Sequence, residues 1–291
     1  MKESEFRLKK RTAKATRIVK ITTAIAVVAV LVNAPIAHGL ISRNQLQNQP
    51  SIKNWGLENT EGASHINARK AWKISKGSKK VIVAVIDTGI DASHPDLKDN
   101  ICRRSGSNEY GYDFVLKKKN PGDLHGHGSH VAGIIGATAK NNSGVIGVAP
   151  NICIMAIRYY SETATGAQNL ANTVKAINYA VDHGAKVINY SGGGAEFSSA
   201  EMQAIKRAEA KGVVFVAAAG NEYQDTDRPG NAYYPAAYGL SNIIAVTATN
   251  IRNQILPSSN WGKKHVHVAA PGEQIYSTLP NAKYEIGRAH V

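Results

Sequence analysis

Residues 81–86 read Val-Ile-Val-Ala-Val-Ile, six apolar positions in a row that end on an aspartate. A strand points its side chains alternately to two faces, so a run that is apolar throughout must be covered on both, as in a parallel sheet. The runs 152–159, 187–190, 213–218 and 243–247 have the same character. Between them, Leu170, Val174, Ile177 and Val181 recur at helical spacing and Gly184 supplies a stop. Ser198 and Glu201 have the spacing of a capping box; the helix they open should turn Met202 and Ile205 inward and end at Gly212. Alternating strands and helices predict an α/β fold: a doubly wound, mostly parallel sheet with right-handed crossovers and helices on both faces.

The length of 291 residues, with 43% apolar and 19% charged, suits one large globular domain and excludes disordered, collagen-like and coiled-coil chains. Two cysteines exclude a disulfide-built scaffold and any CxxC metal or redox site; whether Cys102 and Cys153 pair stays open. Residues 1–20 hold eight Lys or Arg against Glu3 and Glu5, a balance of +6 that leaves +8 of the formal +14 for the rest. That remainder is spread out. Its longest run, Lys117-Lys118-Lys119, has no aromatic interleaving, so no nucleic-acid partner is expected. Residues 21–32 are an apolar run shorter than the roughly 20 residues that span a bilayer. Ala37-His38-Gly39 then puts small residues before a cut at Leu40, the layout of a secretory signal peptide over 1–39. The expectation is a secreted or periplasmic monomer with no stable membrane insertion after cleavage; an uncleaved anchor is the runner-up.

Parallel α/β sheets place their chemistry beyond the carboxyl ends of the strands. Asp87 stands there, suited to a nucleotide, a phosphoryl group or a histidine partner; alone it decides nothing. In residues 123–133 (DLHGHGSHVAG) a glycine-flanked His127 opens a small-residue helix. The same stretch contains His125, His127 and His130 in a run that resembles the HxHxDH zinc motif of metallo-β-lactamase-like hydrolases, with Ser129 where that family has an aspartate. Residues 217–221 (AAAGN) lead from a strand into Asn221, a turn former unless its amide points at developing negative charge.

Together these motifs resemble the subtilisin-like serine proteases, the subtilases or peptidase S8 family. The match rests on the stretch around Asp87, HGSHVAG from His127 and AAAGN ending at Asn221. It extends to GVIGVAP at 144–150, VINYSGG at 187–193 and VAAPG at 268–272, all in the family's order. The resemblance implies a subtilisin-like fold and hydrolysis of polypeptide substrates. Asp87 would orient His127, His127 would act as general base and then acid, and Asn221 would donate to the oxyanion. Ser191, Gly192 and Gly193 would pair with an extended peptide, with Ala218 and Gly220 on the facing wall of the primary pocket. Tyr233 would sit at the base of that pocket and favour small or medium side chains. Catalysis would need no cofactor, while Asp96 and Asn141 resemble ligands of a structural calcium site.

The family's nucleophile lies in a Gly-Thr-Ser-Met-Ala run, and no serine here has that context: Ser258, Ser259 and Ser277 all lack it. Residues 285–291 (EIGRAHV) back-translate to a run similar to a sequencing adapter and are expected to be a non-native tail. The expected organisation is a signal peptide at 1–39, an extension at 40–78, a catalytic domain at 79–284 that is incomplete at its C-terminal end, and that tail. The 291-residue polypeptide is then expected to be inactive. A peptide-binding pseudoprotease and, more distantly, a zinc hydrolase are the alternatives.

Overall fold

Strand β1 (Ile82–Asp87) runs through the interior of an eight-stranded sheet. The computed structural model describes residues 54–58, 64–139 and 144–287. The stretch expected to be a signal peptide, the expected extension up to residue 53 and Asn141 lie outside them.

Helix α1 (Ala68–Trp72) precedes β1. The remaining strands are β2 (Gly111–Asp113), β3 (Lys118–Lys119), β4 (Cys153–Arg158), β5 (Val187–Tyr190), β6 (Val214–Ala218), β7 (Ile243–Thr249) and β8 (Val268–Pro271). Their order in the sheet is β3-β2-β4-β1-β5-β6-β7-β8, and every pairing is parallel except β2 with β3. A separate antiparallel hairpin joins β9 (Ile275–Leu279) to β10 (Lys283–Gly287).

The apolar run of β1 is covered on both faces, as its pattern predicts. Ala84 and Ile86 join one core with Ile177, Ile188, Ile205 and Phe215, while Val83 and Val85 join another with Leu97, Val131 and Ile154. The first core is closed by helices α3 (Gly166–Asp182) and α4 (Ser199–Ala210), the second by α2 (His127–Gly136). Cys102 and Cys153 are joined in a disulfide, with their Cα atoms 4.9 Å apart.

Helix starts differ from expectation in one respect. The complete capping box belongs to α3, where Thr165 Oγ1 accepts from Gln168 N at 3.2 Å and Gln168 Oε1 accepts from Thr165 N at 2.9 Å. At α4 only half of the box forms: Ser198 accepts from Glu201 N, but the Glu201 carboxylate is buried and takes the Tyr238 hydroxyl at 2.7 Å instead. Ile205 is fully buried, whereas Met202 is only half-buried.

Candidate active site

Because β1, β5 and β6 are parallel neighbours, their carboxyl ends share one edge of the sheet. Asp87 closes β1, Ser191 follows β5, and Ala218 ends β6 three residues before Asn221. Adjacent strands lie about 4.8 Å apart, so these ends fall within about 10 Å of one another along the edge.

His127 reaches that edge from the first position of α2. The helix can start there because Gly128 has no side chain: a Cβ on it would stand 2.1 Å from the Gly89 carbonyl oxygen and 3.1 Å from Asp87 Cβ. The close approach brings His127 Nδ1 to 2.6 Å from Asp87 Oδ1. A carboxylate only accepts, so Nδ1 carries the hydrogen and Nε2 is left as the basic nitrogen. Asp87 is buried, and its Oδ1 also accepts from Thr88 N at 2.7 Å. Burial disfavours the His127 cation, but the Asp87 hydrogen bond and the charges of Asp87 and Asp123 prevail and raise its pKa above the ordinary 6.5.

Asp123 stood inside the histidine motif without a role, and the structure gives it one. Its Oδ1 accepts from Thr88 Oγ1, His125 N and Gly126 N at 3.0, 3.0 and 2.8 Å. Its Oδ2 accepts from Ser129 N at 2.9 Å and Ser129 Oγ at 2.7 Å. One buried carboxylate thereby fixes the turn that delivers His127 and ties it to the residue after Asp87. An Asp three residues ahead of a Gly-His helix start was the available signal.

The other histidines go elsewhere. His125 Nε2 lies 3.3 Å from Glu162 Oε1, and His130 is buried and its pKa lowered by that burial. Among the described residues no three His, Cys, Asp or Glu side chains gather as a metal-holding group, so the zinc alternative finds no ligand set there.

Next to the dyad, the segment after β5 carries the expected peptide-binding residues. Ser191 and Gly192 are half-buried and Gly193 is exposed, while Gly194 exchanges backbone hydrogen bonds with Tyr234 at 2.9 and 2.8 Å. The Tyr233 ring fills the space between the two expected pocket walls: a Cβ on Gly193 would meet it at 2.5 Å and a Cβ on Gly220 at 2.8 Å. Ala218 and Tyr233 are buried, and Asn221 is exposed at the mouth. Burial, with the carboxylates of Glu222 and Glu201 adding, pushes the Tyr233 phenol up to about 12.

Asp96 is fully buried. Its Oδ2 accepts from Val145 N at 2.8 Å and from the Tyr284 hydroxyl at 2.9 Å, but its Oδ1 has no hydrogen-bond partner. A buried carboxylate oxygen left open suits a cation, and Asn141, the second expected ligand, lies outside the described residues.

Comparison with known proteins agrees with this geometry. A profile described as the subtilase family matches residues 78–289. Thermitase from Thermoactinomyces vulgaris is 40% identical over 223 residues, 77% of this chain and 74% of that protein. A thermophilic serine proteinase from Bacillus sp. (strain AK1) is 41% identical over 74% of this chain. Subtilisin-like protease 2 of Plasmodium falciparum (isolate 3D7) is 37% identical over 78%. The match spans 49% of the Bacillus protein and 17% of the Plasmodium one. Among solved structures, a cold adapted subtilisin-like serine proteinase superposes with a TM-score of 0.63 at 27% identity, over 82% of this chain and 80% of that one. The chain, with its parallel sheet and its Asp87–His127 pair at the carboxyl edge, belongs to the subtilase family.

Proposed function

We propose that this chain is the larger part of the catalytic domain of an exported serine endopeptidase. The observation that carries the reading is the 2.6 Å contact between His127 Nδ1 and Asp87 Oδ1 at the sheet's carboxyl edge. It makes Nε2 the basic nitrogen, which takes a proton from a nucleophilic hydroxyl and returns it to the leaving amine, while Asp87 stabilises the imidazolium. Asn221 supplies an amide hydrogen to the oxyanion. An extended substrate adds as a strand to residues 191–193, and the side chain before the scissile bond enters the space walled by Ala218 and Gly220. Tyr233 shortens that space, so small and medium side chains are preferred. The nucleophilic serine has no counterpart in these 291 residues and is supplied by the remainder of the gene's full-length product. The chemistry needs no cofactor. Calcium binds at Asp96, with Asn141 as a further ligand, and stabilises the loops that hold it.

Peptide hydrolysis by the full-length product, with and without inhibitors, tests the assignment. A sulfonyl fluoride should abolish turnover and a brief chelator treatment should leave it. Immediate loss to the chelator alone would contradict serine chemistry, and a folded but inert product would favour the peptide-binding pseudoprotease.

A further inference from the structure

The loop that carries Asn221 is tied to one buried residue far away in sequence. Asn260 is 0% exposed, and its side chain and backbone together make five hydrogen bonds to residues 219–224. Its backbone N donates to Gly220 O at 3.0 Å and its Nδ2 to Ala219 O at 2.9 Å. Its Oδ1 accepts from Glu222 N and Gln224 N, both at 3.1 Å, and Nδ2 also donates to Glu222 Oε2 at 2.6 Å.

The peptide units on both sides of Asn221 are therefore held by the same side chain or its own backbone. Those two units set the direction of the Asn221 Cα–Cβ bond. Gly220 makes the approach feasible: its φ is +101°, and a Cβ there would lie 2.4 Å from Asn260 Nδ2. Asn260 is in turn fixed to the sheet, since Thr247 Oγ1 in β7 donates to its carbonyl at 2.7 Å. The preceding Ser259 Oγ lies 2.8 Å from the same hydroxyl and accepts from Ala248 N at 3.0 Å.

We infer that Asn260 is a positioning residue for the oxyanion donor, holding the Asn221 amide where charge develops in the transition state rather than touching substrate itself. The inference rests on the endopeptidase reading. A primary amide is the group the site requires, because it must accept two N–H bonds and donate two more at once. Without the Asn260 Oδ1 acceptor, the half-buried backbone N–H groups of Glu222 and Gln224 would lose their shared partner, and the loop would relax toward another conformation.

The test is a double-mutant cycle in the full-length product. Asn260→Ala should lower kcat by up to about 10²-fold, the scale of a misplacement of about 1 Å, with KM changed less than about threefold. In an Asn221→Ala background the same substitution should cost kcat nothing further, since the group it positions is gone. Circular dichroism checks that Asn260→Ala is folded, and Thr247→Val, which removes only the hydroxyl that donates to the Asn260 carbonyl, is a milder second variant that should lower kcat in the same direction by a smaller factor. Equal losses in both backgrounds, or a loss confined to KM, would overturn the positioning role while leaving the protease reading intact. A wild-type product that does not hydrolyse peptides would remove the protease reading, and this inference with it.

Discussion

The Tyr233 ring lies where a side chain on Gly193 would have to go, 2.5 Å from the position of its Cβ. A ring in that place limits the side chain a substrate can insert. Tyr233→Gly should therefore shift the peptide-library profile of the full-length product toward large aromatic residues, by at least about tenfold in kcat/KM relative to alanine, because even one methylene of pocket space is worth about 1–3 kcal/mol. An unchanged profile would place the pocket elsewhere.

The raised pKa of His127 has a sign for both catalysis and stability. Nε2 acts as a base only when the ring is neutral, so turnover should fall on acidification through a value above 6.5. Stability runs the other way: the protonated ring is favoured by the fold, so its contribution is present below 6.5 and lost as pH rises through the folded value. An imidazole NMR titration should give a midpoint above 6.5, lowered in Asp87→Asn, where burial is no longer offset by the carboxylate. A wild-type midpoint below 6.5 would contradict the pairing.

Much of this architecture was legible from the strand interiors. The run 187–190 is β5 as read, and the other four runs differ from the observed strands by one or two residues at one or both ends, because burial on both faces leaves a continuous apolar signal. Strands β2 and β3 are three and two residues long, too short for any period to emerge. Asp87 and His127 stand out in the sequence because each sits beside a strong local pattern. Asp123 and Asn260 could not be given roles, since their work depends on backbone amides brought near by the fold, and a Ser-Ser-Asn stretch reads as an ordinary turn. Glu201 shows the same limit: its spacing from Ser198 suggested a cap, but Tyr238, 37 residues on, captures its carboxylate.

Glu201 also makes stability depend on pH. Burial raises its pKa above 4.5, and the Tyr238 hydrogen bond offsets this only in part. The folded protein then keeps this proton to a higher pH than the unfolded chain, so stability falls as pH rises from 4.5 through the folded value. Thermal melts across that interval should show wild type losing Tm relative to Glu201→Gln as pH rises. Parallel curves would rule this out.

The open Oδ1 of buried Asp96 predicts that added calcium raises Tm in proportion to the logarithm of its concentration above Kd. Asp96→Asn should abolish the calcium-dependent part of the shift. A shift of the same size in the variant would locate the ion at another place.

The most direct test of the account is a kinetic cycle on Asp87 and His127 in the full-length product. If the carboxylate works only by orienting and stabilising the imidazole, the double variant Asp87→Ala with His127→Ala should hydrolyse peptides no more slowly than His127→Ala alone. Losses that multiply, each substitution costing its full factor in the absence of the other, would show two independent roles and contradict the dyad.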